Sequence, residues 1–220
     1  MAQHIERQLA QLKERILHIG TLVEEAIAKS ITALINRDKK LALRVMLNDD
    51  EIDRMEVEVE EECLKIFALY QPVAADLRLV VSVLKINNDL ERIGDLAKNI
   101  AKRASSVALT DGVELPPEIL AMATLAQEMV RESLEAVVNS DSALARRVRE
   151  EDDAVDEFRR QVREMVLAGI KAETEQVESL LGINAVSTHI ERIADMATNI
   201  AEDVIYMVEG DIVRHRADDI

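Results

Sequence analysis

Aromatic residues are scarce in this sequence of 220 residues: they make up 2% of it, and tryptophan does not occur. Because 48% of the residues are hydrophobic, a sizeable core must be built almost entirely from aliphatic side chains and methionine. Such side chains suit long helices that pack along narrow seams. Only three prolines and six glycines are present, so we expect few turns and long helices.

A disulfide within the chain is excluded, because Cys63 is the only cysteine. This cysteine lies in an apolar helical pattern, and we interpret it as a core residue rather than a reactive thiol. The first residues contain no apolar signal segment, and no stretch approaches the roughly 18 uncharged apolar residues of a membrane-spanning helix. We therefore expect a cytoplasmic protein that meets the membrane only through its partners.

Positive charge is in short supply: 27 Lys and Arg residues stand against 43 Asp and Glu residues, which gives a formal net charge of −16. A surface this acidic repels the phosphates of nucleic acids, so direct binding to nucleic acid is not expected. Contact with anionic lipids is disfavoured for the same reason. The composition favours a basic partner surface or a cation instead.

The sequence contains an internal repeat. Residues 91–101 (ERIGDLAKNIA) and 191–201 (ERIADMATNIA) are identical at eight of eleven positions, at an offset of 100. Upstream, nine residues within 36–53 recur in the same order within 139–156, at an offset of 103. Two collinear similarities of this kind indicate that the chain arose by duplication.

A linker separates the two copies near the midpoint of the chain. It contains Gly112 and the pair Pro116 and Pro117, which interrupt one helix and allow another to start. We therefore predict two domains, residues 1–110 and 111–220.

Each half is predicted to fold into three helices, because apolar residues recur at alternating spacings of three and four. Asp38 is expected to cap the second helix, and Gly169 and Gly210 are expected to mark helix ends. The predicted fold class is all-α: two tandem antiparallel three-helix bundles related by internal duplication. The predicted helices span residues 4–36, 39–69, 75–108, 117–139, 142–169 and 174–209.

Acidic pairs at a spacing of four recur in both halves, and this spacing places both carboxylates of a pair on one helix face. In each half, the predicted turn lies midway between two of these pairs along the chain. An antiparallel helical hairpin therefore brings the two pairs to one height. The pairs are Asp49/Asp53 and Glu91/Asp95 in the first half, and Asp152/Asp156 and Glu191/Asp195 in the second.

The apolar seams predict where these pairs point. Glu91 and Asp95 are expected to face away from the seam of their helix, and Asp49 and Asp53 to lie on its flank. The seam of the second helix is assigned to Leu41, Val45, Asn48, Ile52, Met55 and Val59.

Four crowded carboxylates repel one another unless a positive charge neutralises them. Oxygen-only ligands suit hard cations such as Mg²⁺, Mn²⁺ or iron, so we predict a metal site in each half. Arg92 and Arg192 are alternative internal counter-charges. A solvated acidic face, or packing between the two halves, would explain the pairs without metal. The retention of outward-facing residues in both copies favours metal.

No catalytic or organic-cofactor residues are predicted. None of the four histidines follows a glutamate by three residues, so the Glu-x-x-His motif of di-iron helical oxidases is absent from the sequence. His189 lies close to Glu191, but two residues apart on a helix point in different directions, so we do not include it among the ligands.

Two segments resemble the PhoU family. Residues 71–101 (QPVAADLRLVVSVLKINNDLERIGDLAKNIA) are similar to the signature of PhoU proteins, and residues 189–215 (HIERIADMATNIAEDVIYMVEGDIVRH) to the second repeat of the family. The segment LVEEAI at 22–27 also fits, and the resemblance covers essentially the whole chain. It implies two three-helix bundles and E(D)-x-x-x-D motifs that bind metal, which match the eight acidic residues. Ala194 and Met196 replace a frequent Gly and His, which predicts a weaker or carboxylate-only second site.

The resemblance also implies a function. PhoU proteins act with the phosphate ABC transporter and its sensor histidine kinase, restrain phosphate uptake and keep the phosphate-starvation response off. We therefore expect a non-enzymatic regulator whose partners are the transporter ATPase subunit and the kinase, and which forms a homodimer. Two alternatives stay open: a carboxylate-bridged metalloenzyme and a metal-free helical scaffold.

Overall fold

The computed structural model describes residues 2–105, 114–172 and 174–213, and no β-strand occurs within these ranges. A 3₁₀ turn, Thr174–Gln176, precedes the last helix. The predicted all-α class is confirmed. The helices are α1 (Ala2–Asn36), α2 (Lys39–Tyr70), α3 (Ala74–Ser105), α4 (Pro117–Asn139), α5 (Ser142–Ala172) and α6 (Val177–Glu209).

Aspartate caps determine where α2 and α5 begin. The Asp38 carboxylate accepts hydrogen bonds of 2.9 and 3.0 Å from the backbone N–H groups two and three residues ahead. Asp141, its counterpart in the second repeat, accepts two such bonds of 3.0 Å each. Each cap satisfies N–H groups that lack a partner within the helix. The predicted cap at Asp38 is confirmed, and it is duplicated.

The two glycines expected at helix ends behave differently. Gly210 ends α6 in a left-handed conformation with φ of 81°, as predicted. Gly169 does not end α5, which continues to Ala172. A Cβ atom at Gly169 would lie 2.9 Å from Cδ1 of Leu180, so this glycine allows α5 and α6 to approach closely. The predicted end of α3 at 108 and the boundary between residues 110 and 111 fall outside the described residues.

The helices form two bundles that share one core. α1, α2 and α3 pack together, α4, α5 and α6 do the same, and α3 packs against α6 between the halves. Aliphatic residues from all six helices form one buried cluster, which includes Cys63. Burial raises the pKa of the Cys63 thiol to about 12, as expected of a core residue. None of the described helices is both long and apolar enough to cross a bilayer.

The helices α3 and α6 run antiparallel, and a polar link joins them. Lys85 Nζ lies 3.3 Å from Oδ1 of Asp203, which is 1% exposed, and 5.3 Å from the ring centroid of Tyr206. The Ser82 hydroxyl donates a hydrogen bond of 3.1 Å to the carbonyl oxygen of Asp203. Because a buried carboxylate is costly unless paired, this link fixes the register between the two halves.

The duplicated caps generate a prediction about stability. Replacing Asp38 or Asp141 with alanine removes the acceptor, and each change is expected to lower the free energy of unfolding by about 1 kcal/mol. Urea unfolding followed by circular dichroism measures this loss. Replacement with asparagine keeps an acceptor oxygen and serves as the control, with a much smaller expected loss. Equal losses for alanine and asparagine would contradict capping as the cause.

Candidate functional site

The four acidic residues of the first half lie together on the α2–α3 hairpin, and we call Asp49, Asp53, Glu91 and Asp95 the first cluster. Burial raises the pKa of Asp53, and the charges of Asp49 and Asp95 raise it further. Burial also raises the pKa of Glu91, followed by the charges of Asp95 and Asp53. The repulsions of Asp53 with Asp95 and with Glu91 act between α2 and α3, and Lys98 contacts both Asp49 and Asp95, so the two pairs lie at one height on the hairpin.

The α5–α6 hairpin brings together the corresponding residues, and we call Asp152, Asp156, Glu191 and Asp195 the second cluster. Burial raises the pKa of Asp152 to about 6, and the charges of Asp195 and Asp156 contribute to this rise. The pKa of Asp195 is raised by burial, then by Glu191 and Asp156. The duplicated acidic pairs therefore form two carboxylate clusters, one in each half.

The predicted orientation of Asp49 is wrong. Its side chain is only 4% exposed, whereas Asn48, which was assigned to the seam, is exposed. A pattern of spacings that starts at Ala42 instead of Leu41 would have placed Asp49 inside, because one residue shifts a helix face by 100°. The buried residues of α2 are Ala42, Val45, Asp49, Ile52, Met55, Val59, Cys63 and Ile66.

A lysine that sequence reasoning missed neutralises part of the first cluster. Lys98 Nζ donates a hydrogen bond to Oδ2 of Asp49 and lies 4.0 Å from Oδ1 of Asp95. The hydrogen bond with Asp49 raises the pKa of Lys98, which keeps its ammonium group charged. Thr198 occupies the equivalent position in the second repeat. This difference between two otherwise similar motifs was the signal in the sequence that could have identified Lys98.

The second cluster has its internal cation elsewhere. Nε of Arg159 lies 3.7 Å from Oε2 of Glu191, and its guanidinium group donates to Thr188 at 2.8 Å and to Asn184 at 3.4 Å. The equivalent residue in the first repeat is Glu56, whose pKa is raised by burial and by neighbouring carboxylates. The cation thus belongs to α3 in the first half and to α5 in the second.

The two arginines expected to act as counter-charges lie at the junction of the halves. Arg92 and Arg192 are exposed and line a groove of roughly 500 Å³ between α3 and α6, together with Asp95 and Asp195. Arg192 opposes the rise in the pKa of Asp195 that burial and like charges cause. The outer face that the two repeats share therefore contributes to the surface where the two halves meet, in agreement with the alternative of packing between the halves.

Neither cluster brings its carboxylates together closely enough for a metal ion, and the two differ in the residue that contacts them from the second helix of the hairpin. In the parts of the chain that the structure describes, no three Asp, Glu, His or Cys side chains converge closely enough to hold an ion. Lys98 already binds Asp49 in the first cluster, so a metal does not fit there without displacing it. The second cluster has the neutral Thr198 at the position of this lysine, but its carboxylates do not converge on one point either. Burial and the charges of Arg103 and Arg192 lower the pKa of His189.

Comparisons with known proteins agree with this architecture. The PhoU domain model matches residues 16–104 and 119–204. The phosphate-specific transport system accessory protein PhoU homolog of Aquifex aeolicus is 39% identical over 210 residues, which cover 96% of this chain and 95% of the relative. The homolog of Pseudomonas aeruginosa is 38% identical over 219 residues, which cover 98% and 89%.

Two solved structures have the same fold. The crystal structure of PhoU from Pseudomonas aeruginosa matches with a TM-score of 0.90 at 35% identity and covers 94% of this chain and 99% of that one. The phosphate transport system regulatory protein PhoU from Streptococcus pneumoniae matches with a TM-score of 0.89 at 27% identity, with coverage of 95% and 99%. The likeness spans both bundles.

The raised pKa of Asp152 generates a prediction for chelator-treated protein. This pKa is about 6 in the folded chain against an ordinary value of 3.8, so the folded chain binds more protons between these values. The free energy of unfolding therefore falls as the pH rises through this window. Asp152→Asn is expected to flatten the dependence and to stabilise the protein at pH 7.5 by on the order of 1 kcal/mol, after solvent screening.

Urea unfolding at a series of pH values measures this effect. Glu150→Gln, a change at an exposed residue of α5 whose charge is not among the causes of the raised pKa of Asp152, is the matched control and should keep the wild-type slope between pH 4 and 6. An unchanged slope in the Asp152 variant would show that Asp152 is not responsible for the pH dependence.

Proposed function

The chain belongs to the PhoU family, and from this premise we propose that it is a non-enzymatic negative regulator of phosphate uptake and of the phosphate-starvation response. The observation that carries the proposal is the chain-long likeness to relatives named as accessory proteins of the phosphate-specific transport system. The architecture is consistent with it, because six long helices present extended outer faces for contact with other proteins.

The proposed partners are the ATPase subunit of the phosphate ABC transporter and the phosphate-sensor histidine kinase. The net charge of −16 supports binding to basic surfaces, since complementary charge steers association. Exposed apolar residues at the tip of the α2–α3 hairpin, Leu69 and Val73, offer additional contact area; their exposed fractions are 73% and 74%. The homodimer and the cytoplasmic location stay predictions.

The proposal includes a cation, Mg²⁺, Mn²⁺ or iron, on the carboxylates of the second cluster. Its support is the oxygen donor set together with the raised pKa of Asp152, since neighbouring carboxylates that repel one another are stabilised by a bound cation. The exposed side chains of Asp156 and Asp195 would have to turn toward Asp152 to complete the site.

A metal-free helical scaffold is the second candidate function. It is favoured by the internal cations Lys98 and Arg159, which neutralise part of each cluster within the protein itself. The described residues give no observation that favours a carboxylate-bridged metalloenzyme.

Partner binding is the first test. The purified ATPase subunit and the cytoplasmic part of the kinase are expected to bind the immobilised protein, and binding should weaken as salt increases because charge steers it. Surface plasmon resonance measures both, with and without added Mn²⁺. Binding to neither partner under any of these conditions would remove the proposed regulatory role.

Metal content is the second test. Protein purified without chelator is expected to contain a cation by elemental analysis, and the double variant Asp152→Asn, Asp195→Asn is expected to lose it because two donors lose their charge. Asp153→Asn is the matched control. Wild-type protein without metal, even after incubation with Mn²⁺, would favour the metal-free scaffold.

A further inference from the structure

We propose that Lys98 acts as a built-in cation for the first cluster and excludes metal ions from it, so that metal binding in this chain is confined to the second half. This inference rests on the proposed metal-binding role of the second cluster. It departs from the symmetry that the duplicated acidic motifs imply.

The position of Lys98 supports this role. Its ammonium group contacts carboxylates from both helices of the hairpin, Asp49 on α2 and Asp95 on α3. A metal that bridged the two helices would need the same oxygens. Asp49 is 4% exposed and the Lys98 side chain is 25% exposed, so the pair is largely shielded from water. A metal ion would have to displace the ammonium group, because two cations repel strongly at such short range.

The close approach of α2 to α3 explains why Asp49 meets this lysine. A Cβ atom at Gly94 would lie 3.1 Å from Cδ1 of Ile52 and 3.8 Å from Oδ1 of Asp49. The glycine therefore lets α2 press its buried aspartate against α3, where Lys98 follows one helical turn later. Glycine and lysine act together in the first repeat.

The second repeat changes both residues. Ala194 adds a methyl group where Gly94 has none, and Thr198 supplies a neutral hydroxyl where Lys98 supplies a charge. Asp152, the counterpart of Asp49, is only partly buried. Arg159 contacts Glu191 from α5 and is also held by Thr188 and Asn184. The positive charge in the second half thus lies beside Glu191, whereas the lysine in the first half contacts Asp49 and Asp95.

Mn²⁺ binding to full-length, chelator-treated protein tests the inference, with unbound Mn²⁺ counted by electron paramagnetic resonance. Lys98→Thr copies the residue of the second repeat and is expected to bind about one more Mn²⁺ per chain than the wild type. Adding Asp53→Asn and Asp95→Asn should abolish this gain. The matched control is Lys102→Thr, which removes the same charge from an exposed lysine one turn away and should give no gain.

Thermal unfolding of Lys98→Thr and Mn²⁺ binding by a reciprocal variant provide two further tests. Without Mn²⁺, Lys98→Thr is expected to lower the Tm by several degrees, and Mn²⁺ should restore most of the loss, because one cation replaces the other. Should Lys98→Thr fail to fold, the reciprocal change Thr198→Lys tests the same idea. It is expected to eliminate the Mn²⁺ that the second cluster binds.

Three outcomes would overturn the inference: no extra Mn²⁺ in folded Lys98→Thr, loss of Mn²⁺ from the wild type on Asp53→Asn and Asp95→Asn, or full Mn²⁺ binding by Thr198→Lys. A different comparison tests the proposed metal-binding role of the second cluster. If the wild type and the Asp152→Asn, Asp195→Asn variant bind Mn²⁺ equally, that role fails.

Discussion

Burial of aliphatic side chains along the helix seams fixes the height at which the acidic residues of both clusters lie. The seams leave little freedom to slide or rotate, because helices packed at native density tolerate neither voids nor overlap. Acidic residues that share a height on a hairpin must therefore remain neighbours, whatever their mutual repulsion. The electrostatics of both clusters follow from this packing, since partial loss of solvent and the neighbouring carboxylates together raise the pKa values of Asp53, Glu91, Asp152 and Asp195.

The two halves neutralise their acidic clusters with residues at different positions of the repeat. At one position on the first helix of each hairpin, the first half has Glu56 and the second has Arg159; at one position on the next helix, they have Lys98 and Thr198. Each half thus has a positive charge in contact with its acidic pairs, but this charge comes from opposite helices of the hairpin. Similar backbones therefore present different chemistry.

Much of the fold was predictable from the sequence because it depends on local signals. Alternating apolar spacings, aspartate caps and a duplicated motif located the helices and the common height of the acidic pairs. Gly169 was misread because a glycine that permits close helix packing looks the same in sequence as one that ends a helix. Asp49 was misplaced because a polar residue inside a seam interrupts the pattern used to find that seam.

Lys98 was missed for a different reason. The acidic pairs were found because both repeats contain them, whereas Lys98 occurs in the first repeat only and has Thr198 as its counterpart. The sequence also could not predict that the outer face of α3 lies against α6, because this contact depends on how one bundle packs against the other. That packing involves residues separated by more than one hundred positions, as in the contact between Lys85 and Asp203.

The link between α3 and α6 has an evolutionary consequence. Its residues Ser82, Lys85 and Asp203 correspond to Gly182, Ala185 and Arg103 in the other repeat, so the link exists only once. A protein made of two identical first halves would have the counterpart of Arg103 at the position where Asp203 accepts a hydrogen bond from Lys85. Two positive charges would then face each other. Divergence after duplication has therefore made the halves complementary parts that are no longer interchangeable.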